Sequence, residues 1–544
     1  MEKSVKKIKL LAVDDEKFNL LLLREALKNE EIIVEGCESA DRAVELIKSK
    51  EYDVALLDVI MPGINGFELR NLIRQYAPRL PIIYLTAVVD TIDNDLVEKI
   101  AEDKFTYYMK KPFVRTELLR HIRNAVEDRQ REDQTKNYYN NLEQDLELAS
   151  EVQELMLPDW CVQYDDFFAS SIYQPCQKVS GDIFDVIKIA PRKFFVLVGD
   201  IAGHGIQAAL YMSAVQSLIK MIFGRNPADI KLCEILNRMN MYFCTELGQG
   251  NYMTCIAAYV NYNTNQLNFY SAGHPNISEY SPKREKLRML NSENKGGIPI
   301  GWEKSFEYCD EEVVKVDIED DSLLFAVTDG VFEIADRKSD EMLGMENLQC
   351  LLESISTSKN AAVIPYRLRE AMRQMGYERN ADDFCLLTMG RFCDKLDEKR
   401  LALTTPPVLN STNQLVVQFG KMVEENTDDS ELAGKVEILI GEFLNNVVIH
   451  GLGNRQQSRP VILVDLIIRN DVIEISVLDK GKNWNVSSAD NQQNGSDLEE
   501  SFATSGRGMA IICSIASSIS RNRYGEINET CFVIDRKDQQ NADT

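Results

Sequence analysis

The sequence predicts a multidomain protein of mixed α/β and α+β class, and three observations carry that prediction. A chain of 544 residues is too long to fold around one core. Five apolar strand candidates (8–13, 32–37, 53–58, 82–86 and 105–109) alternate with helical patterns over the first 125 residues, the mark of a doubly wound sheet. From Phe194 a run of β-formers ends in Asp200 and passes into Gly203-His204-Gly205, a buried strand entering a sharp turn.

Composition narrows the class. Hydrophobic residues make up 44% and charged residues 27%, as in a globular protein. The net charge of −25, with no basic stripe, speaks against direct nucleic-acid binding. No apolar run of bilayer-spanning length is evident, and no signal-type segment precedes Asp14, so no membrane role is expected. Twelve scattered cysteines without a C-x-x-C pair read as reduced thiols of a cytoplasmic protein. The four histidines are too dispersed for a zinc site.

In residues 1–125 the chemistry falls at the carboxyl ends of the predicted strands, where such folds place their sites. Asp14-Asp15 ends the first strand, Asp58 the third and Thr86 the fourth, and Lys111-Pro112 follows the fifth. Three carboxylates repel one another and so suit a divalent cation, taken here as Mg²⁺. A phosphoryl group on Asp58 would be neutralised by that cation and by Lys111, with Thr86 donating a hydrogen bond. The run from Asp58 through Met61-Pro62-Gly63 to Gly66 resembles the receiver signature of response regulators, a flavodoxin-like fold. The resemblance implies Asp58 as phosphoacceptor, Asp14, Asp15 and the Ile60 carbonyl as metal ligands, and Tyr108 as an aromatic switch.

Residues 126–157 form the expected helical connector. Leu119, Ile122, Val126, Leu142, Leu146, Ala149, Val152 and Met156 recur at three- and four-residue steps, the pattern of a long helix in a two-stranded coiled coil and hence of a homodimer. Pro158 ends it.

The third segment, 158–395, puts an Asp beside each of several strand-like runs: Asp182, Asp200, Asp329, and Asp382 with Asp383. Helices are expected at about 205–224 and 228–247, and strands near 252–260, 266–271, 323–328 and 384–389. Carboxylates converging from strand ends make a hard oxygen cage suited to Mg²⁺ or Mn²⁺, and two such ions can activate a water and clamp a phosphoryl group. The order Gly-Asp, Gly-Asp-x-x-Gly-His-Gly, Ser-Ala-Gly-His-Pro (271–275), Thr-Asp-Gly, Asp-Asp resembles the PP2C-like (PPM, sporulation-type) serine/threonine phosphatases, an α/β sandwich. By that resemblance Asp200 bridges two metals, the Ile201 carbonyl is a ligand, Asp329 and Asp382 complete the core, and Asp182 assists. Cys385 stands where the family usually has Thr.

Thr404-Thr405-Pro406-Pro407 reads as a linker into 408–537. A strand is expected at Gln414–Phe419, a helix around Lys435–His450, and strands at 461–468 and 472–478. Glu442, Asn446 and His450 are spaced four apart and so share a helix face, which a Mg²⁺–nucleotide would satisfy. Asp479-Lys480-Gly481 ends a strand with a carboxylate able to accept from an adenine amine. Ser505-Gly506-Arg507-Gly508 opens a helix whose amides can hold phosphates. Residues 485–505, rich in Ser, Asn, Gln and Asp, read as a lid. The set resembles the GHKL ATPases, specifically the anti-sigma-factor serine kinases, again an α/β sandwich. It implies ATP, with Glu442 as general base and Asn446 as Mg²⁺ ligand. Asp479 and Gly481 lie at the adenine with Thr530 nearby, and Gly506, Arg507 and Gly508 form the phosphate loop. Asn483 stands where the family often has a second Gly.

Together the three resemblances imply a partner-switching response regulator. The phosphatase segment would dephosphorylate a serine on a small STAS-type anti-sigma-factor antagonist, and the C-terminal segment would rephosphorylate it. A sensor kinase or phosphotransfer protein would set the balance through Asp58. The alternative is a C-terminal segment that sequesters a sigma or anti-sigma factor without kinase turnover.

Overall fold

A computed structural model describes residues 7–28, 30–86, 104–203, 205–224, 230–248, 250–290, 297–395, 397–453, 459–483 and 506–536. The expected lid at 485–505, His204 and the Arg507 side chain lie outside the described residues. The chain divides into two compact units, Met1–Asp145 and Leu146–Thr544.

The first unit is a five-stranded parallel sheet in the order Ile32–Cys37, Ile8–Val13, Val54–Asp58, Ile82–Thr86, Thr106–Lys110. The expected strands are there, within a residue at each end. Their continuous apolar runs follow from burial on both faces: Leu10, Leu11, Ala12, Val54, Ala55, Leu56 and Leu57 have no exposed surface. Helix Gly66–Tyr76 begins with an Asn65 capping box to Glu68. A Cβ at Gly66 would lie 2.3 Å from the Asp58 carbonyl oxygen, so only glycine lets this helix start against the strand that ends in Asp58.

One helix, Arg115–Met156, runs for 42 residues as the connector pattern predicts. Leu118, Ile122, Ala125 and Val126 are buried near its start, whereas Leu148, Val152 and Leu155 are exposed near its end.

The second unit contains two sandwiches. The first stacks a five-stranded antiparallel sheet, which includes Ile183–Ala190, Lys193–Ile201 and Met253–Asn261, and a six-stranded sheet, which includes Phe167–Gln174, Leu323–Val327 and Phe384–Arg391. Helices Ile206–Phe223 and Leu232–Tyr242 cover the first sheet's side of the core. By length and composition Ile206–Phe223 could cross a membrane, although Gln207, Ser213, Gln216, Ser217 and Lys220 interrupt its apolar run. Here its apolar residues Met212, Val215, Ile219, Ile222 and Phe223 pack in the sandwich core. Two helices not expected from the sequence, Gly344–Ile355 and Ile364–Gln374, cover the second sheet.

The C-terminal sheet runs Lys399–Thr405, Ile462–Ile468, Val472–Asp479, Ile527–Asp535, Ser518–Tyr524, all antiparallel. Two expectations fail here. Gln414–Phe419 is not a strand but part of helix Leu409–Thr427, which buries Leu415, Val416, Phe419 and Val423 on one face. The expected linker residues Thr404 and Thr405 end the edge strand, paired with Leu463 and Ile462. Side chains alternate across this sheet. Val464, Leu466, Ile475, Val477 and Phe532 face the helices Leu409–Thr427 and Ser430–Asn446. On the other face Ala402, Leu463, Leu478 and Ile527 join one core with Trp160, Ile364, Tyr366 and Met372 of the phosphatase-like sandwich.

Candidate functional sites

In the first unit, strand ends bring Asp14, Asp15 and Asp58 together, with ligand atoms all within 4.8 Å of one another. Asp14 is buried, Asp58 half-buried and Asp15 exposed. Lys111 Nζ lies 2.8 Å from Asp14 Oδ2 and 3.0 Å from Asp58 Oδ2. Burial opposes the Lys111 charge, but its hydrogen bonds to Asp14 and Asp58 outweigh that and hold the ammonium above its usual range. Thr86 is buried at its strand end, and its carbonyl accepts from the Lys111 N–H at 2.7 Å. Tyr108 stands 5.3 Å from Tyr84, ring to ring. Ile60 is 68% exposed in the loop just beyond Asp58. An all-oxygen donor set of this kind fits Mg²⁺.

In the second unit, Asp200 ends the strand Lys193–Ile201 opposite Thr254. Burial, then Asp329, Asp382 and Asp383, push the Asp200 carboxyl up to about 7. Asp182 is fully enclosed, and burial with Asp200, Asp383 and Asp329 drives it far above the usual carboxylate range. Asp329 is raised too, by burial and Asp382. Two close approaches explain the convergence. A Cβ at Gly181 would lie 2.8 Å from the Ile201 carbonyl oxygen and 3.4 Å from Asp200 Oδ1, and one at Gly330 would lie 2.0 Å from the Asp383 carbonyl oxygen. Glycine at both positions lets the backbones carrying Asp182, Asp200, Asp329 and Asp382 approach. These oxygens do not form a cluster as tight as that in the first unit. Among the described residues, no Lys or Arg pairs with Asp182, Asp200, Asp329, Asp382 or Asp383. A convergence of carboxylates with no Lys or Arg partner among the described residues, offering only hard oxygens, fits divalent Mg²⁺ or Mn²⁺.

The sequence left three supporting residues unassigned. Asp383, buried, accepts from the Cys176 N–H at 2.7 Å and the Gly181 N–H at 2.8 Å, so it ties the loop before Asp182 to the turn that carries Asp382. Thr328 donates to Asp182 Oδ2 at 2.8 Å while accepting from the Cys385 N–H at 3.1 Å. Gln153, buried near the end of the long helix, holds Ser180. Thr328 and Asp383 lay inside the Thr-Asp-Gly and Asp-Asp motifs but carried no role of their own in the sequence, and Gln153 carried no signal. His274 is buried with Nδ1 2.9 Å from Thr254 Oγ1, and burial drops its pKa to about 3, so it is a neutral packing group.

In the C-terminal sandwich Glu442 and Asn446 share a face of helix Ser430–Asn446. The α-helix stops there. His450 lies in the π-turn Val447–Gly451 and is exposed. Helix Gly506–Ile515 brings Gly508 against the pair: a Cβ there would lie 2.8 Å from Glu442 Oε2 and 3.7 Å from Asn446 Nδ2. Asp479 is 1% exposed. Its Oδ1 accepts from the Gly481 N–H at 2.7 Å and from Asn528 Nδ2 at 2.9 Å. Its Oδ2 is buried with no hydrogen-bond partner among the described residues. A buried acceptor left open is what an adenine amine would fill. Thr530, buried two positions from Asn528, accepts from Arg521 Nη1 at 2.8 Å.

Comparison with known proteins follows this geometry. Residues 10–123 match the response regulator receiver domain, 190–392 the stage II sporulation protein E (SpoIIE) family, and 408–534 the histidine kinase-like ATPase domain. The chain is 24% identical over 253 residues to the phosphoserine phosphatase RsbU of Bacillus subtilis, covering 46% of this chain and 71% of that protein. It is 32% identical over 159 residues to a cyclic di-GMP phosphodiesterase of Thermotoga maritima, covering 29% of this chain and 40% of that protein. A structure of the RsbU and RsbW domains of Rv1364c from Mycobacterium tuberculosis aligns at 18% identity and a TM-score of 0.37, covering 69% of this chain and 96% of that one. The chain thus joins a response-regulator receiver, a SpoIIE-type, PP2C-like phosphatase domain and a histidine kinase-like ATPase domain, the architecture of a partner-switching regulator.

Proposed function

We propose that this chain sets the phosphorylation of one serine on a small STAS-type anti-sigma-factor antagonist, through two opposed activities gated by phosphorylation of Asp58. The observation that carries the reading is the pairing, within the unit Leu146–Thr544, of a cluster of carboxylates around Asp200 suited to divalent metals and a buried Asp479 oxygen with no hydrogen-bond partner among the described residues. Asp200, Asp329, Asp382 and the Ile201 carbonyl would hold two Mg²⁺ or Mn²⁺ ions, with Asp182 supporting them. The metals, when bound, supply an activated water and charge neutralisation at the phosphoryl group. Asp383 and Thr328 keep the ligands in place. In the kinase direction Asp479 would orient the adenine, Asn446 would hold Mg²⁺, Glu442 would take the serine proton, and the backbone from Gly506 to Gly508 would face the phosphates.

Receiver phosphorylation by a sensor kinase or a phosphotransfer protein acts through the long helix. The exposed Leu148, Val152 and Leu155, spaced by four and three, form the seam through which two copies pair as a homodimer. Twelve free cysteines support a reducing, cytoplasmic setting. The test is phosphate release from the serine-phosphorylated antagonist by the purified full chain with Mn²⁺. Release abolished in Asp200→Ala, with the fold unchanged by circular dichroism, supports the reading; undiminished release removes the phosphatase assignment.

A further inference from the structure

The end of the long helix meets the ATPase domain as well as the phosphatase metal loop. Arg459 opens the segment that leads into the strand Ile462–Ile468. Its Nη1 donates to the Leu157 carbonyl at 2.7 Å and lies 3.3 and 3.5 Å from the Glu154 and Leu155 carbonyls. Carbonyls at a helix end lack their usual i+4 donors, and a cation there also meets the negative end of the helix dipole. Two residues on, the Val461 N–H donates to Asp159 Oδ2 at 3.1 Å, and the Val461 carbonyl accepts from Trp160 Nε1 at 2.8 Å. The helix terminus and the start of this strand are therefore bolted together by three side chains.

That strand start lies beside the adenine end of the nucleotide site. Leu463 pairs with Leu478, the residue before Asp479, and both share a core with Trp160. Gln153, on the last turns of the same helix, holds Ser180 two positions before Asp182. One helix end thus touches the supports of both candidate centres.

We propose that Arg459, with Asp159 and Trp160, is the joint through which the long helix sets the geometry around Asp479, so that one movement of the helix reaches the ATPase site and the phosphatase site together. This rests on the reading of the second unit as an opposed phosphatase and kinase. A helix that shifts away loses the Arg459 cap, and Val461 moves with it. The displacement passes along the ladder to the strand that ends in Asp479. Gln153 and Arg459 are separate arms, so cutting one leaves the other working. Arg459 is a positioning residue: it touches helix carbonyls and no substrate.

The experiment uses the full chain with and without beryllofluoride on the receiver. Amide hydrogen exchange is read over 461–468 and 472–479 in the absence of nucleotide, and ATP affinity is read separately by calorimetry. In the wild type, beryllofluoride alters exchange in both strands and shifts the ATP Kd by about 5-fold or more, within the usual range of coupled sites. Arg459→Ala removes both responses while the phosphatase rate still responds to beryllofluoride. Arg459→Lys, which keeps the cation at the helix end, restores part of them and guards against a folding defect. Wild-type responses surviving in Arg459→Ala overturn the joint, as does a wild type whose two strands show no change. A chain that binds no ATP ends the kinase reading, while the exchange data still decide the joint.

Discussion

Gln153 grips the main chain of Ser180 from both sides: its Nε2 donates to the Ser180 carbonyl at 2.7 Å, and its Oε1 accepts from the Ser180 N–H at 3.1 Å. All of these groups are buried. Ser180 in turn caps Asp182, whose N–H donates to Ser180 Oγ at 3.0 Å, and the intervening Gly181 N–H donates to Asp383. A single amide side chain on the long helix therefore holds the loop that carries Asp182.

Gln153→Leu keeps the bulk but strands one buried donor and one buried acceptor, each at a cost of about 1–3 kcal/mol. We expect phosphatase kcat to fall by at least about 10-fold with KM little changed, because the loss lies in metal-site geometry and not in substrate contacts. Steady-state kinetics on the phosphorylated antagonist checks this. An unchanged kcat would make the helix a passive spacer.

The carboxylates around Asp200 give a pH dependence with a fixed sign. Asp200 titrates near 7 in the metal-free fold, because burial and the neighbouring carboxylates favour its neutral form. A carboxyl raised above its unfolded value binds more protons folded than unfolded, so stability falls as pH rises from the unfolded value through about 7. Chelating divalent metal should therefore lower Tm more at pH 8 than at pH 6, and metal affinity should weaken as pH drops below 7. Calorimetric melts with and without EDTA at the two pH values read the first effect directly.

Asp479→Asn replaces the open buried acceptor with a side chain that can present an amide donor instead. ATP affinity should drop by at least about 10-fold, the scale of one lost buried hydrogen bond. The melting temperature without ATP should change little, since Asn528 can still bond to the remaining oxygen. Calorimetric titration of the full chain with ATP decides it.

Separating the two sandwiches should expose an apolar sheet face. In a fragment spanning 399–544, Leu463, Leu478 and Ile527 lose their cover from Trp160, Tyr366 and the helix Ile364–Gln374. At about 1.5–3 kcal/mol per side chain, the loss is comparable to the ~5–15 kcal/mol that stabilises a typical domain. The fragment should bind a hydrophobic dye and melt well below the full chain. A fragment as stable as the parent would show that the shared core contributes little.

How legible all this was in the sequence depends on which force set each element. The receiver strands were readable because a parallel sheet buries both faces and leaves unbroken apolar runs such as Val54–Asp58. Gln414–Phe419 misled because Val416 and Val417 suit a strand locally. The helix wins because Leu415, Phe419 and Val423 recur four apart and pack against helix Ser430–Asn446. Thr404-Thr405-Pro406-Pro407 looked like a linker because its turn residues outweigh a strand whose partner, Ile462–Ile468, lies some sixty residues away in sequence. Asp200, Asp329 and Asp382 announced themselves beside strand runs. Gln153 did not, because a buried glutamine in a polar helix has no periodic signature, and its value lies in a loop 27 residues on. The π-turn at Val447–Gly451, which contains His450, was not legible either, because the four-residue spacing of Glu442, Asn446 and His450 reads as an unbroken α-helix.

The central claim, two opposed activities on one serine, is tested most directly by the steady-state phosphorylation of the antagonist. The full chain is incubated with the antagonist, ATP and Mg²⁺, and the phosphorylated fraction is read by mass spectrometry. The account predicts that Asp200→Ala drives this fraction toward one and Asn446→Ala drives it toward zero. A fraction equal to that of the wild type in both variants would contradict it.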